Sequence, residues 1–448
     1  MKAFFCVCLM VLSLLSAGQP LRTNEWLDFT SYPGVKFIAP TSLLCLKDNE
    51  FFKVGSSFID IAFRGYTYVL VADSKKDSII VLQVKITNTT REVKKVTTFK
   101  TRPNPVHICE GFNFGDGKLQ VFVLSQPRDT VGYLQMFVLD PLSKNFTKIK
   151  EVETGWGTRE CVVHSLPTSE NHFCYIINEN AYDAHPLPRQ IQGVFAKVRR
   201  SHGTMSIEYF HEPTENCSSN GKLGGRLLTG PGDIEILNRK ILILDFNNKR
   251  IFIYDRTREW INCANVTLAD TFKTYSTERL IKLENSETII SPSPLLFPSK
   301  IFGTGNQQSF LLSVFNGSSG SHGILLYDKD WERFTAVYRE NLRYFSSTIS
   351  GSTGRLSLPV TMVEHTQSYW AYLGHGDIKG VTKFEIPRTT RVTYSNAIIN
   401  GSENINAYDL KIKLVDKAGI RTSDGRESRE PDLFVADPVN GKVYLCGQ

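Results

Sequence analysis

Four histidines are the first residues in this chain whose type and placement could do chemistry. His107 stands in Pro105-Val106-His107-Ile108-Cys109, His164 closes Cys161-Val162-Val163-His164, and His365 and His375 flank Tyr369-Trp370-Ala371-Tyr372. Imidazoles carried toward a common axis would give a metal site or an acid/base group near neutral pH. The plainer reading, and the expectation here, is that each is a partly buried strand residue held by hydrogen bonds. No GxSxG elbow, HExxH helix or phosphate-cradling loop is present. Gly317-Ser318-Ser319-Gly320-Ser321 and Gly351-Ser352-Thr353-Gly354 lead into no evident helix and read as surface loops. Among Trp26, Trp156, Trp260, Trp331 and Trp370, the third and fourth are expected to pack between sheets. An aromatic-lined mouth could take an apolar small molecule.

Cysteine chemistry depends on compartment, and the N-terminus speaks to that. Met1-Lys2-Ala3, an apolar run from Phe4 to Leu15, and then Ser16, Ala17 and Gly18 have the grammar of a secretory leader over residues 1–18. The run is short of the roughly 20 apolar residues of a spanning helix, and no later segment reaches that length. A soluble, extracellular domain over residues 19–448 is therefore expected. With Cys6 and Cys8 in the leader, Cys45, Cys109, Cys161, Cys174, Cys217, Cys263 and Cys446 remain, without CxxC or zinc spacing. In an oxidising compartment these read as disulfide formers. The expected pairs are Cys161 with Cys174 across a hairpin, Cys217 with Cys263, and Cys45 with Cys446, leaving Cys109 over. Glycosylation is expected at Asn88, Asn145, Asn216, Asn265, Asn316 and Asn400, each of which opens an Asn-x-Ser/Thr triplet. A net charge of +7, from 52 basic and 45 acidic residues, is only mildly cationic. Groups such as Lys94-Lys95 and Lys197-Val198-Arg199-Arg200 read as solvated strand ends, so nucleic acid is not an expected partner. An extracellular protein, a glycan or a small molecule is.

The elements that would position such residues are strands. Tyr68–Asp73 is followed by Ile79–Leu82, Ile241–Asp245 by Ile251–Asp255, and Leu433–Asp437 by Val443–Leu445. In each, an apolar strand ends on Asp and the next opens six residues later. Asp suits that place because its side chain can bond backbone N–H groups two residues on. Apolar runs of about four to seven residues recur between turn residues, which argues an all-β chain. Central hairpins are predicted near 68–84, 119–139, 173–198, 240–255, 309–327, 369–385 and 433–445. Units of this kind repeated radially make a single β-propeller, with seven blades preferred and six possible. The C-terminal hairpin lacks an outer partner, which a strand near Val35–Leu46 could supply. The competing architecture is a pair of β-sandwiches.

Pro231-Gly232-Asp233-Ile234-Glu235-Ile236, continued through Lys240–Asp245 to Asn248–Asp255, resembles the blade of extracellular NHL/YWTD-like propellers. Asp73 and Asp437 stand in weaker versions of the same pattern. Propeller hydrolases of the lactonase or paraoxonase type are similar in architecture and hold Ca²⁺ in the central tunnel by oxygen ligands. That resemblance would place Asp60, Glu110, Glu160, Asp233 and Glu364 at inner positions of different blades. Three functions follow. The first is a secreted, N-glycosylated, non-catalytic binding or extracellular-matrix propeller needing no cofactor. The alternatives are a Ca²⁺-dependent hydrolase and a scavenger of small ligands.

Overall fold

The computed structural model describes residues 25–47, 50–51, 66–86, 91–111, 118–128, 130–140, 142–155, 157–164, 172–178, 195–201, 204–210, 231–237, 240–245, 250–255, 272–276, 296–303, 310–316, 321–327, 334–341, 359–365, 368–376, 379–387, 395–421 and 427–447. These residues form seven four-stranded antiparallel sheets. The seven hairpins predicted from the sequence supply the two middle strands of each sheet. The second strands of sheets one and two are continuous apolar runs because they are covered on both faces. Tyr68, Val69, Leu70, Val71 and Ala72 are all fully buried in succession, as are Val121, Phe122, Val123 and Leu124. A sheet wetted on one face would instead alternate apolar with polar residues.

One edge strand of each sheet lies innermost. These strands are Pro40–Lys47, Pro105–Glu110, Thr158–His164, Pro231–Leu237, Leu296–Gly303, Val360–His365 and Asp409–Arg421. Each packs beside the next, and the seventh packs beside the first. The chain is thus a β-propeller, and its apolar core is the set of interfaces between consecutive sheets. One interface joins Phe434, Ala436, Val443 and Leu445 of sheet seven to Leu43, Val69, Val71 and Leu82 of sheet one. Another joins Phe51, Tyr68 and Phe99 to Phe137 and Phe146, with Phe51 stacked on Tyr68 at 3.8 Å between centroids. Two side-by-side sandwiches would have no such cyclic order.

The strand that completes sheet seven is Trp26–Asp28, pairing Trp26 with Cys446 and Asp28 with Tyr444. This corrects the expectation that residues near Val35–Leu46 would do so, because Pro40–Lys47 is needed as the first strand of sheet one. Flanking contacts hold the N-terminal strand on both sides. Glu25 takes a bidentate bond from Arg91 of sheet one, at 2.6 and 2.8 Å. Trp26 donates its indole N–H to the Asn400 carbonyl at 2.8 Å, beside sheet six. Gly401 is required there, since its φ is +83° and a Cβ would lie 2.9 Å from the Trp26 ring.

The recurring strand-end aspartates also differ from expectation. Asp73 accepts from the backbone N–H groups of Ile38 and Ala39, at 2.8 and 3.0 Å, and so anchors the segment leading into sheet one. Asp437 does both jobs, accepting from Asn440 in its own turn and from Asn406 before the inner strand of sheet seven. The Asp245 side chain lies outside the described residues.

The described cysteines, Cys45, Cys109, Cys161, Cys174 and Cys446, carry free thiols. Cys45 and Cys446 belong to different apolar clusters, because successive residues of the last strand face opposite sides and Leu445, not Cys446, joins the Cys45 cluster. From the neighbouring sheet the sulfur of Cys109 comes against Cys161, at 2.9 Å, and the Cys174 thiol also contacts it. Cys217 and Cys263 lie outside the described residues. Of the sequon asparagines, Asn145 and Asn400 are exposed, although Ser402 of the second sequon is fully buried. Asn316 ends a strand, its side chain not described; Asn88, Asn216 and Asn265 lie outside the described residues, as do Trp156, Trp260 and Trp331.

Candidate functional site

Near the start of each inner strand one position carries a polar side chain. In five sheets a register shift falls just before it, between Pro40 and Ser42, Pro105 and His107, Thr158 and Glu160, Pro231 and Asp233, and Pro298 and Lys300. Pro suits this place because the bulge leaves its missing N–H without cost to the ladder. Thr361 follows Pro359 by the same step in sheet six, and Asp409 follows Ala407 in sheet seven. Asp409 pairs with Ala436, the residue before the strand-end Asp437, as Ser42 pairs with Ala72 before Asp73. One ring of equivalent positions therefore reads Ser42, His107, Glu160, Asp233, Lys300, Thr361, Asp409.

Four of these side chains reach across to the following sheet in the same way. Each accepts from the backbone N–H of the residue just after the next ring position. Asp409 accepts from Leu43 at 2.7 Å, Ser42 from Ile108 at 3.3 Å, His107 Nδ1 from Cys161 at 3.1 Å, and Asp233 from Ile301 at 2.6 Å. The register shift frees that N–H from its own ladder, so a neighbouring acceptor is needed.

Between sheets two and five the ring becomes ionic. Lys300 bonds Glu160 closely and Asp233 at 3.2 Å, and His107 Nε2 lies 3.5 Å from Glu160. Because Nδ1 accepts from Cys161, the proton of a neutral His107 sits on Nε2 and faces the Glu160 carboxylate. Burial holds the His107 imidazole down at about 4, against the pull of Glu160 in the other direction. Burial raises the Glu160 carboxyl, but Lys300, a hydrogen bond with Asp233 and then His107 outweigh it and hold Glu160 well below the usual carboxylate range. Asp233 is pushed up by burial and by the charge of Glu160. Of the two carboxyls, Asp233 takes up a proton first as pH falls. Asp233 and Glu160 raise Lys300 despite its burial, and Asp409, 3.8 Å away, raises Lys411.

The sequence reading named three members of this ring, His107, Glu160 and Asp233. It placed Glu110 and Glu364 at inner positions as well, and both lie on inner strands but three residues beyond the ring, out of phase with it. Asp60 and the side chains of His164, His365 and Glu364 lie outside the described residues. His375 is a buried histidine whose Nε2 bonds the Thr382 hydroxyl at 2.7 Å. Ser42, Lys300, Thr361 and Asp409 were missed. The recurring step Pro-x-polar at five inner strands is the signal that would have found most of them.

The donor set does not fit calcium. Both Asp233 oxygens accept backbone N–H groups, from Ile234 and Ile301, and Glu160 is divided between Lys300 and His107. An ammonium occupies the place of a cation, where Ca²⁺ would need six to eight oxygens. Among the described residues no group of three or more His, Cys, Asp or Glu is arranged to hold a metal. No helix among them is long and apolar enough to cross a membrane.

No protein-family model matches the chain, and no curated protein matches it. Solved structures do resemble it. The periplasmic gluconolactonase PpgL of Pseudomonas aeruginosa is 14% identical with a TM-score of 0.48, over 84% of this chain and 94% of that one. The N-terminal domain of Nup159 is 10% identical with a TM-score of 0.47, over 96% of each. A putative 6-phosphogluconolactonase of Bacteroides fragilis is 11% identical with a TM-score of 0.43, over 84% and 88%. The architecture rests on the strand order itself, and these distant likenesses select no family.

Proposed function

We propose that this chain is a secreted, N-glycosylated propeller that binds an extracellular protein, glycan or small molecule through its loop faces and performs no catalysis. The observation that carries the reading is the commitment of the axial ring. Asp409, Ser42, His107 and Asp233 each spend an acceptor on the neighbouring sheet, and Lys300 neutralises Glu160. A general base needs a lone pair within reach of a substrate proton. His107 offers none while Nδ1 accepts from Cys161 and Nε2 carries the proton. Secretion follows from the leader-like residues 1–18, and glycan attachment is favoured by the exposure of Asn145 and Asn400. The test is expression of the full chain in a secreting eukaryotic cell. Product in the medium, a mass loss on N-glycosidase treatment and retention on a glycan or matrix-protein array would support the proposal. Product retained in the cytosol, without sugar, would end it.

A second reading is metal-independent opening of a lactone ring. It is favoured by the raised Asp233 carboxyl beside the Lys300 ammonium, since perturbed groups clustered in a cleft are the mark of acid/base sites. Asp233 would hold the proton for transfer and Lys300 would stabilise negative charge on the ring oxygen. A pH-stat assay with an aldonolactone, run with and without a chelator, decides between the two readings. Turnover that survives chelation and vanishes in Asp233→Asn favours the hydrolase. Consumption no faster than in buffer favours the binder.

A further inference from the structure

We propose that Cys109 and Cys161 are a disulfide-forming pair that links the inner strands of sheets two and three, leaving Cys174 reduced. The two sulfurs are 2.9 Å apart although 52 residues separate them in the chain. His107 and Cys109 share one face of their strand, and that face meets the third sheet, where His107 accepts from the Cys161 N–H. The same interlock that seats the ring thus sets the two thiols against each other.

Cys174 is the competing partner, since its thiol also bonds that of Cys161. Strand register separates the two possibilities. Cys161 lies opposite Ile176, and Cys174 lies opposite Val163, so the two cysteines are diagonal neighbours on one face. Diagonal neighbours stand about 7–8 Å apart between Cα atoms, beyond the roughly 4.4–6.8 Å usual across a disulfide. A Cys161–Cys174 bond would pull one sheet out of register, while a Cys109–Cys161 bond only tightens a contact between two sheets.

The chemistry is thiol–disulfide exchange with a small disulfide such as oxidised glutathione. The Cys109 thiolate attacks one glutathione sulfur, breaking the glutathione S–S bond and releasing one glutathione thiolate. The Cys161 thiolate then attacks the Cys109 sulfur and expels the second. Two protein thiols are oxidised, one glutathione disulfide is reduced to two thiols, and the two cysteine protons end on glutathione. The adjoining Cys161 thiol and burial raise Cys109, and burial raises Cys161, each well above the ordinary thiol range. Exchange therefore runs before the two sheets pack and is slow once they have.

The test is refolding of the full chain in a glutathione redox buffer, alkylation under denaturing conditions, and non-reducing peptide mass spectrometry. The expected result is a peptide linking Cys109 to Cys161, with Cys174 alkylated. Cys174→Ser should keep that link in full, which guards against scrambling through the third thiol. A Cys161–Cys174 peptide, another partner for either residue, or alkylation of both Cys109 and Cys161 overturns the proposal. As a second readout, reduction should lower Tm in the wild type and in Cys174→Ser. An unchanged Tm on reduction counts against the link.

Discussion

Two arcs of one ring use the same backbone slot differently. From sheet seven through one and two to three, the ring side chains Asp409, Ser42 and His107 each clasp a backbone N–H of the following sheet. From sheet three to five, Glu160, Asp233 and Lys300 form an ion cluster, and only Asp233 makes the clasp. Lysine has no acceptor, so at Lys300 the clasp is chemically impossible and the side chain turns back to the carboxylates of the preceding sheets. The clasped arc is modular, each contact standing alone. The ionic arc is coupled, since loss of one member leaves others charged and buried.

The sharpest way to break this contrast is Lys300→Met. Two buried carboxylates would lose their cation, and stability measured by urea unfolding should fall by about 3–5 kcal/mol. Lys300→Met combined with Glu160→Gln should recover more than half of that loss; full additivity of the two changes would show that the arc is not coupled.

His107 joins the two arcs and gives a pH signature. The unfolded imidazole titrates near 6.5 and the folded one at about 4. Between those values the unfolded chain holds a proton that the folded chain does not, so stability falls as pH drops from 6.5 to about 4. The loss is roughly 3 kcal/mol at most. In His107→Gln, unfolding followed at several pH values should lose this fall, leaving the opposite contribution of Asp233, whose raised carboxyl adds stability as pH drops. The fall that Glu160 causes, through its depressed pKa, should begin as pH drops through the ordinary Glu value and continue below it.

In the clasped arc the effects should be smaller and separable. Asp409→Ala strands the Leu43 N–H and should cost about 2 kcal/mol, whereas Asp409→Asn keeps an acceptor and most of the stability. Chemical denaturation of the two variants would show it, and equal losses would deny the clasp. The smallest effect belongs to Thr361, whose buried hydroxyl has no partner among the described residues. Thr361→Val should change the denaturation midpoint little or raise it, because nothing is left unsatisfied.

Local patterning made the hairpins legible. Apolar runs, Asp at strand ends and turn residues are properties of neighbours in sequence, so all seven middle pairs could be placed. The ring was legible only where its residue looked chemical, as at His107, Glu160 and Asp233. Ser42, Thr361 and Lys300 look like ordinary strand residues until the sheets are laid side by side. The cysteines teach the same lesson in reverse. Cys161 and Cys174 sit near each other in the chain across a hairpin, yet register sets them diagonally, and Cys109 from another sheet lies 2.9 Å from Cys161.

What the chain's residues determined alone is a set of seven antiparallel units, because strand and turn formation depend on side chains a few positions apart. Which side chains share the axis, and with which partner each is neutralised, was decided only when the sheets packed. Those contacts span 50 to 370 residues of sequence, as Cys161 with His107 and Leu43 with Asp409 show at 54 and 366. No local pattern encodes a distance of that kind; it emerges from the cyclic order of the inner strands.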